Sequence, residues 1–170
     1  EGCCMYEPQT DKLVFADINE FVSCKSVPGD NYLSVEEYCQ ELLDKKEMAK
    51  VTPLEQADLI WKHAEMALEG VGRLAEEKNI CREFQYTLDD IQALGYLGYY
   101  YSLKIKAAVH VCLFRKTGDE NYRDCAVAML KQAEGYWKVY ARKSKEMYKP
   151  QVLTRLCGCV DVERFNEQAK

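Results

Sequence analysis

TLDDIQALGYLGYYYSLKIKAAVHVCLFRKTGD, residues 87–119, is the stretch on which the fold turns. Leu88, Ile91, Leu94, Gly95, Gly98, Tyr101, Ile105, Ala108, Val109 and Cys112 recur at steps of three and four. That spacing places side chains on one face of an α-helix. Sustained over this length it predicts a helix of about eight turns at 3.6 residues each. Thr87 and Asp90 fit a capping box, and Phe84 and Tyr86 fit an earlier turn, so the helix is expected to begin at or before Thr87. It should stop at Thr117-Gly118-Asp119, because Gly118 suits the left-handed conformation that closes many helices.

Downstream, Tyr122, Ala126, Met129, Ala133, Trp137 or Tyr136, Tyr140 and Met147 repeat at three and four until Pro150 forbids continuation. Two long helices separated by so short a break must fold back on each other, giving an antiparallel hairpin of roughly 88–116 with 120–148. Upstream, Thr52-Pro53-Leu54-Glu55 is a strong start signal: Thr52 caps, Pro53 sits where its missing N–H costs nothing, and Glu55 closes the box. Ala57, Ile60, Trp61, Ala64, Leu68, Val71 and Leu74 or Ala75 carry that helix to an end near 75–78. Gly70 and Gly72 weaken its last turns by about 1 kcal/mol each. Ser34 with Glu37 opens one more helix through Val35, Tyr38, Cys39, Leu42 and Leu43.

The ends are less regular. Residues 13–18 read as an extended segment or as a short helix running to Val22, residues 27–31 as a loop, 150–160 as irregular chain, and 161–165 as a short closing helix. The expectation is one all-α domain over 1–170, a four- to five-helix bundle of antiparallel helical hairpins packed across the glycine face of the long helix. Residues 1–33 and 149–160 are its partly irregular parts.

Composition narrows the function classes. At 170 residues the chain suits one domain of the usual ~100–200 residues. The net charge of −5, with no basic cluster larger than Arg142, Lys143 and Lys145, argues against a nucleic-acid partner. Charges interrupt every apolar run well short of the ~20 residues a membrane span needs. The chain opens Glu1-Gly2-Cys3-Cys4, with no initiator Met and no signal peptide, and so reads as processed or as a piece of a larger protein.

Nine cysteines, an odd number, leave at least one unpaired within the chain. Cys39, Cys112 and Cys125 fall on apolar stripes, where a thiol behaves as a small hydrophobe. Cys3-Cys4 and Cys157-x-Cys159 do not match the two-to-four-residue gap of zinc sites. A disulfide between the two pairs suits them better in an oxidising compartment. No metal and no cofactor is expected.

The chemistry-bearing candidates are aromatic. Twelve tyrosines include Tyr96, Tyr99, Tyr100 and Tyr101, which at about 100° per residue cannot share one face. Tyr101 falls on the core stripe. Tyr96, Tyr99 and Tyr100 fall on its flank, and Tyr96 with Tyr100, like Tyr136 with Tyr140, forms an (i, i+4) pair. Tyr96, Tyr99, Tyr100, Tyr136 and Tyr140 are thus the candidate contacts for a sugar or a partner surface. The competing reading is that tyrosine rings bridge core and solvent. Gly95 and Gly98 form a low ridge suited to close helix packing or to a ligand groove.

Catalytic signals are poor. Asp89 and Asp90 point in different directions on a helix, His63 has no carboxylate at metal spacing, and His110 lies beside the core stripe. No phosphate loop, nucleophile elbow, zinc-protease helix or calcium loop occurs.

Several runs carry a family resemblance: Thr87-Leu88-Asp89-Asp90-Ile91, the segment from Tyr99 to Ala108, Thr117-Gly118-Asp119, Ala133-x-x-x-Trp137-x-x-Tyr140 and Tyr148-Lys149-Pro150-Gln151. Together, over about residues 52–165, the chain resembles helical segments of large bacterial polysaccharide-processing proteins, among them glycoside hydrolases and carbohydrate-binding proteins. The resemblance implies helices lying outside a catalytic domain and a secreted or periplasmic location, while the nine cysteines keep a cytoplasmic one open. It implies a non-catalytic accessory module whose partner is a carbohydrate or the catalytic domain of a parent protein. A helical protein–protein scaffold and a helical glycan-cleaving domain are the alternatives. The last requires a pocket with two carboxylates or a Tyr–His pair.

Overall fold

One helix, α4 (Arg82–Thr117), is the element against which every other described α-helix packs. The computed structural model describes residues 4–7, 12–77, 81–149, 151–153, 158–160 and 162–166. Its other helices are α1 (Ile18–Ser23), α2 (Val35–Leu43), α3 (Pro53–Ala75) and α5 (Glu120–Met147). The fold is all-α, edged by two antiparallel two-stranded hairpins, β1 (Cys4–Glu7) with β2 (Lys12–Phe15) and β3 (Gln151–Leu153) with β4 (Gly158–Val160). A 3₁₀ turn, Val162–Phe165, follows.

The start signals act as read. Ser34 and Glu37 cap α2 reciprocally, as do Thr52 and Glu55 at α3, where Pro53 opens the helix. Gly118 adopts φ 73°, and its N–H donates to the Phe114 carbonyl at 2.8 Å, which turns the chain directly into α5. A third box, Asp17 with Glu20, starts α1. It resolves the ambiguity at residues 13–18: β2 is extended, and α1 begins only after this cap. The start of α4 lies earlier than the Thr87 box. Thr87 sits inside the helix with its hydroxyl donating to the Glu83 carbonyl, and Asp90 meets the Tyr148 hydroxyl instead of capping.

Glycine governs the α3–α4 seam. A Cβ placed on Gly98 would stand 2.9 Å from the Cβ of Ala64, and one on Gly95 would stand 2.8 Å from Leu68 Cγ. Further along, the buried Ser102 hydroxyl donates to the Ala57 carbonyl at 2.7 Å. The pairs Leu68–Gly95, Ala64–Gly98 and Ala57–Ser102 run in opposite senses, so α3 lies antiparallel to α4. The glycine ridge therefore serves helix packing.

Two cores flank this seam. Cys39 and Tyr38 of α2, with Val22 of α1, pack on Val109, Cys112 and Leu113 of α4. Tyr100 and Leu103 pack on Ala133, Trp137 and Ala141 of α5, with Phe165 closing the end. Between them Lys104 is buried, donating to the Ala16 carbonyl and the Tyr100 hydroxyl, both at 2.7 Å, and lying 5.0 Å from the Phe21 ring centroid. An ammonium out of water needs such partners, and here they anchor the start of α1 to the middle of α4.

Three expectations fail on the α4 and α5 surfaces. Leu94, assigned to the core stripe, is 61% exposed, and Ile91 is exposed as well. Cys125 is exposed although it was placed on an apolar stripe. The stripe was drawn for one packing face, whereas α4 is covered from several sides and left open on one.

The seam generates a contrast among glycines. Gly98→Ala must push against an Ala64 Cβ held by backbone, and is expected to destabilise the fold by about 1–2 kcal/mol after overpacking and helix propensity oppose. Gly70→Ala, where an added Cβ meets nothing within 4 Å, should stabilise by about 0.5–1 kcal/mol. Urea unfolding of both variants reads the two signs.

Candidate functional site

On the side of α4 where α3 and α5 approach each other, four aromatic rings gather. Trp61 of α3 lies 4.2 Å from Tyr99 of α4, centroid to centroid. Tyr99 lies 4.9 Å from Tyr136 of α5, Trp61 lies 6.0 Å from Tyr136, and Tyr96 of α4 lies 6.4 Å from Tyr136. All four side chains are half-buried. Their planes tilt by 40° and 45° across the Trp61–Tyr99 and Tyr99–Tyr136 contacts, so the surface is faceted and not flat.

Each ring is placed by a helix-packing constraint. Trp61 flanks the Ala57–Ala64 line that lies against α4, and the glycine seam lets α3 come close enough for its indole to meet Tyr99. Tyr136 precedes the fully buried Trp137 by one residue, about 100° round the wheel, which turns it out of the core towards α3. Along α3, Glu65 and Glu69 follow Trp61 at four and eight residues, on the same edge. Lys106 pairs with Asp58 at 2.6 Å and sits 5.8 Å from the Trp61 ring centroid.

Burial first, then Glu65, Tyr136, Glu69 and Tyr96, push the Tyr99 phenol above its ordinary value. It therefore stays protonated and able to donate near neutral pH. A surface of C–H-stacking rings with hydroxyl donors and carboxylate acceptors at its edge has the elements that bind a polyhydroxylated ring.

Of the five tyrosines singled out from sequence, three come together here: Tyr96, Tyr99 and Tyr136. Tyr100 does not. It is fully buried against Trp137, at 5.2 Å between centroids, and against Lys104. Tyr140 packs half-buried beside the other face of that core, 5.2 Å from Trp137. Tyr101, assigned to the core, is half-buried near Phe21 at 6.3 Å. Tyr101 still packs against the core beside Tyr100, 5.3 Å between centroids, and the burial of Tyr100 follows from α5, which covers the flank of α4 that a single-faced helix would leave open. Trp61 is the member the site assignment missed. Its signal was its position at the margin of the α3 stripe, where a large ring cannot be fully enclosed.

A second feature lies on the opposite side of the seam, an open groove of about 440 Å³ lined by Leu59, Ile60, His63, Ala64, Ala67, Ile91, Leu94, Gly95 and Gly98. No carboxylate lines it, and His63 is its one titratable member. No group of three His, Cys, Asp or Glu side chains able to hold a metal occurs among the described residues. The pairing of Cys3, Cys4, Cys157 and Cys159 falls outside the described side chains. No helix among the described residues is long and apolar enough to cross a membrane.

No family model matches the chain, and no curated protein matches it. Among solved structures it is similar in fold to a GH138 enzyme targeting pectin rhamnogalacturonan II, with a TM-score of 0.69 and 17% identity. The match covers 79% of this chain and 21% of that one, so the chain spans about a fifth of that enzyme's length. At this identity the likeness establishes a shared helical fold.

His110 lies where α4 meets α5, its ring 5.8 Å from Tyr122 and its Nδ1 buried with no hydrogen-bond partner among the described residues. Burial lowers its pKa below 6.5. The unfolded chain therefore binds a proton at higher pH than the folded one, and stability should fall as pH drops through 6.5. The urea midpoint is expected to decline between pH 7.5 and 5.5, and to decline less in His110→Gln.

Proposed function

We propose that this chain is a non-catalytic helical module of a bacterial carbohydrate-processing protein, contacting glycan through Trp61, Tyr96, Tyr99 and Tyr136. The observation that carries the reading is the convergence of these four rings from three helices on one half-exposed surface. The fold shared with a segment of a GH138 enzyme supports a carbohydrate setting, as does the family resemblance of the helical runs. That setting supports a secreted or periplasmic location.

An accessory role agrees with the distribution of titratable groups. The groove between α3 and α4 is lined by apolar side chains and one histidine, whereas glycoside hydrolysis ordinarily needs two facing carboxyl groups. That groove favours a second reading. Leu59 and Leu94 stand exposed along it at 56% and 61%, as contacts for a neighbouring protein surface would. On this reading Leu94→Lys abolishes an association seen by sedimentation.

Titration against plant and mucin oligosaccharides, followed by tryptophan fluorescence, tests the glycan reading. Trp61 is the half-exposed indole and Trp137 the buried one, so ligand should act on the former. Trp61→Ala and Tyr99→Ala are each expected to weaken binding about tenfold, the effect of losing one well-packed ring, with helicity unchanged. Absence of binding at millimolar glycan would sink the reading.

A further inference from the structure

The charges around the four rings are distributed unevenly, and this bears on which sugars they accept. Glu65 and Glu69 are exposed and stand one and two turns from Trp61 on the same edge of α3. Their charge reaches the Tyr99 phenol at the centre of the cluster. On the cationic side, Lys106 is already paired with Asp58 at 2.6 Å. Lys62, next to Trp61 in the chain, is turned about 100° from it round the helix, further than either glutamate. Lys143, seven residues beyond Tyr136 on α5, is two turns away, about 10 Å along the helix. That distance exceeds the ~8 Å screening length of physiological salt, as does the ~12 Å along α3 from Trp61 to Glu69. A ligand laid on the rings thus meets Glu65, one turn from Trp61 and about 40° round the wheel, more closely than Glu69, Lys62 or Lys143 among the described residues.

Resting on the glycan-contacting reading above, we infer that the Trp61–Tyr99–Tyr136 surface, edged by Glu65 and Glu69, takes uncharged pyranose residues and discriminates against uronates. The physical argument has two parts. Stacking uses the C–H face of the sugar and is indifferent to what C6 carries. The rim is not indifferent: a hydroxyl or ester at C6 can lie beside a carboxylate, and a hydroxyl can donate to it, whereas a second carboxylate there is repelled. At one helical turn the repulsion in water corresponds to about a threefold loss per carboxylate, and the loss shrinks as salt screens it. Glu69, two turns away, adds a smaller loss to that of Glu65.

The probes are a tetragalacturonate, its fully methyl-esterified form, and a neutral galacto-oligosaccharide of equal length. The ester and the free acid share every atom of the sugar face and differ at C6 in charge. Binding is read by Trp61 fluorescence and by calorimetry at low ionic strength. The uncharged ligands are expected to bind, and the free acid to bind about three- to sixfold more weakly than its ester. The gap should close in 0.5 M NaCl and in the double variant Glu65→Gln, Glu69→Gln, in which both rim carboxylates become neutral isosteres. The double variant should change affinity for the uncharged ligands in the same direction for ester and galacto-oligosaccharide, so the ester-to-acid ratio is the quantity that reports the rim charge. A free acid that binds as tightly as its ester overturns the inference while leaving the glycan reading standing. So does a gap that persists unchanged in the double variant, because its cause then lies elsewhere. Failure of the ester and the galacto-oligosaccharide alike overturns it too, and failure of the wider oligosaccharide panel with them overturns the glycan reading as well.

Discussion

Everything in this chain is arranged around how closely α3 lies on α4 at Gly95 and Gly98. Glycine inside a helix is costly, about 1 kcal/mol relative to alanine, and two of them one turn apart need a reason. The reason is steric. With no Cβ at 98, the Ala64 Cβ can rest on the backbone of α4, and with none at 95 the Leu68 side chain occupies the vacated space. The buried Ser102 hydroxyl then reaches the Ala57 carbonyl across the same seam. Attraction between apolar atoms falls steeply with separation, so a seam this close gains dispersion contacts along its length.

That closeness has a consequence for the aromatic residues. Trp61 sits on α3 beside the seam and Tyr99 on α4 beside it, so drawing the helices together brings the two rings to 4.2 Å. On the other flank α5 delivers Tyr136 to the same place, because the neighbouring Trp137 is committed to the core. The position of the cluster is thus set by packing, with its rings left half-buried at the margin of the core. Tyr100 and Trp137, between α4 and α5, are enclosed instead. Lys104 makes the same point from the other side: a buried ammonium tolerated in the core holds the α1 end of the chain, through Ala16 and Phe21, against the middle of α4.

Much of the fold was legible beforehand where the signal was local. The capping boxes at Ser34 and Thr52, the stop at Gly118 and the α4–α5 hairpin all depend on residues within a few positions of one another. The start of α4 falls in the earlier turn that Phe84 and Tyr86 fit, and only the capping box fails: Thr87 satisfies the pattern of a cap, yet inside a helix its hydroxyl bonds back to the Glu83 carbonyl. The site was half legible. Tyr96, Tyr99 and Tyr136 could be selected as flanking aromatics, but Tyr100 looked equivalent to them, and Leu94 looked like core. Nothing within α4 distinguishes the flank that α5 will cover from the flank left open.

What the sequence determined by itself was therefore the helices, their ends and the glycine ridge, because backbone hydrogen bonding and side-chain periodicity act over one or two turns. What only the tertiary structure decided was which helix lies on which side of α4. That choice buried Tyr100, exposed Leu94 and brought Trp61 into a cluster with three tyrosines. The physical reason is that burial belongs to the space between helices, and no periodicity along a single helix specifies how many neighbours it will have.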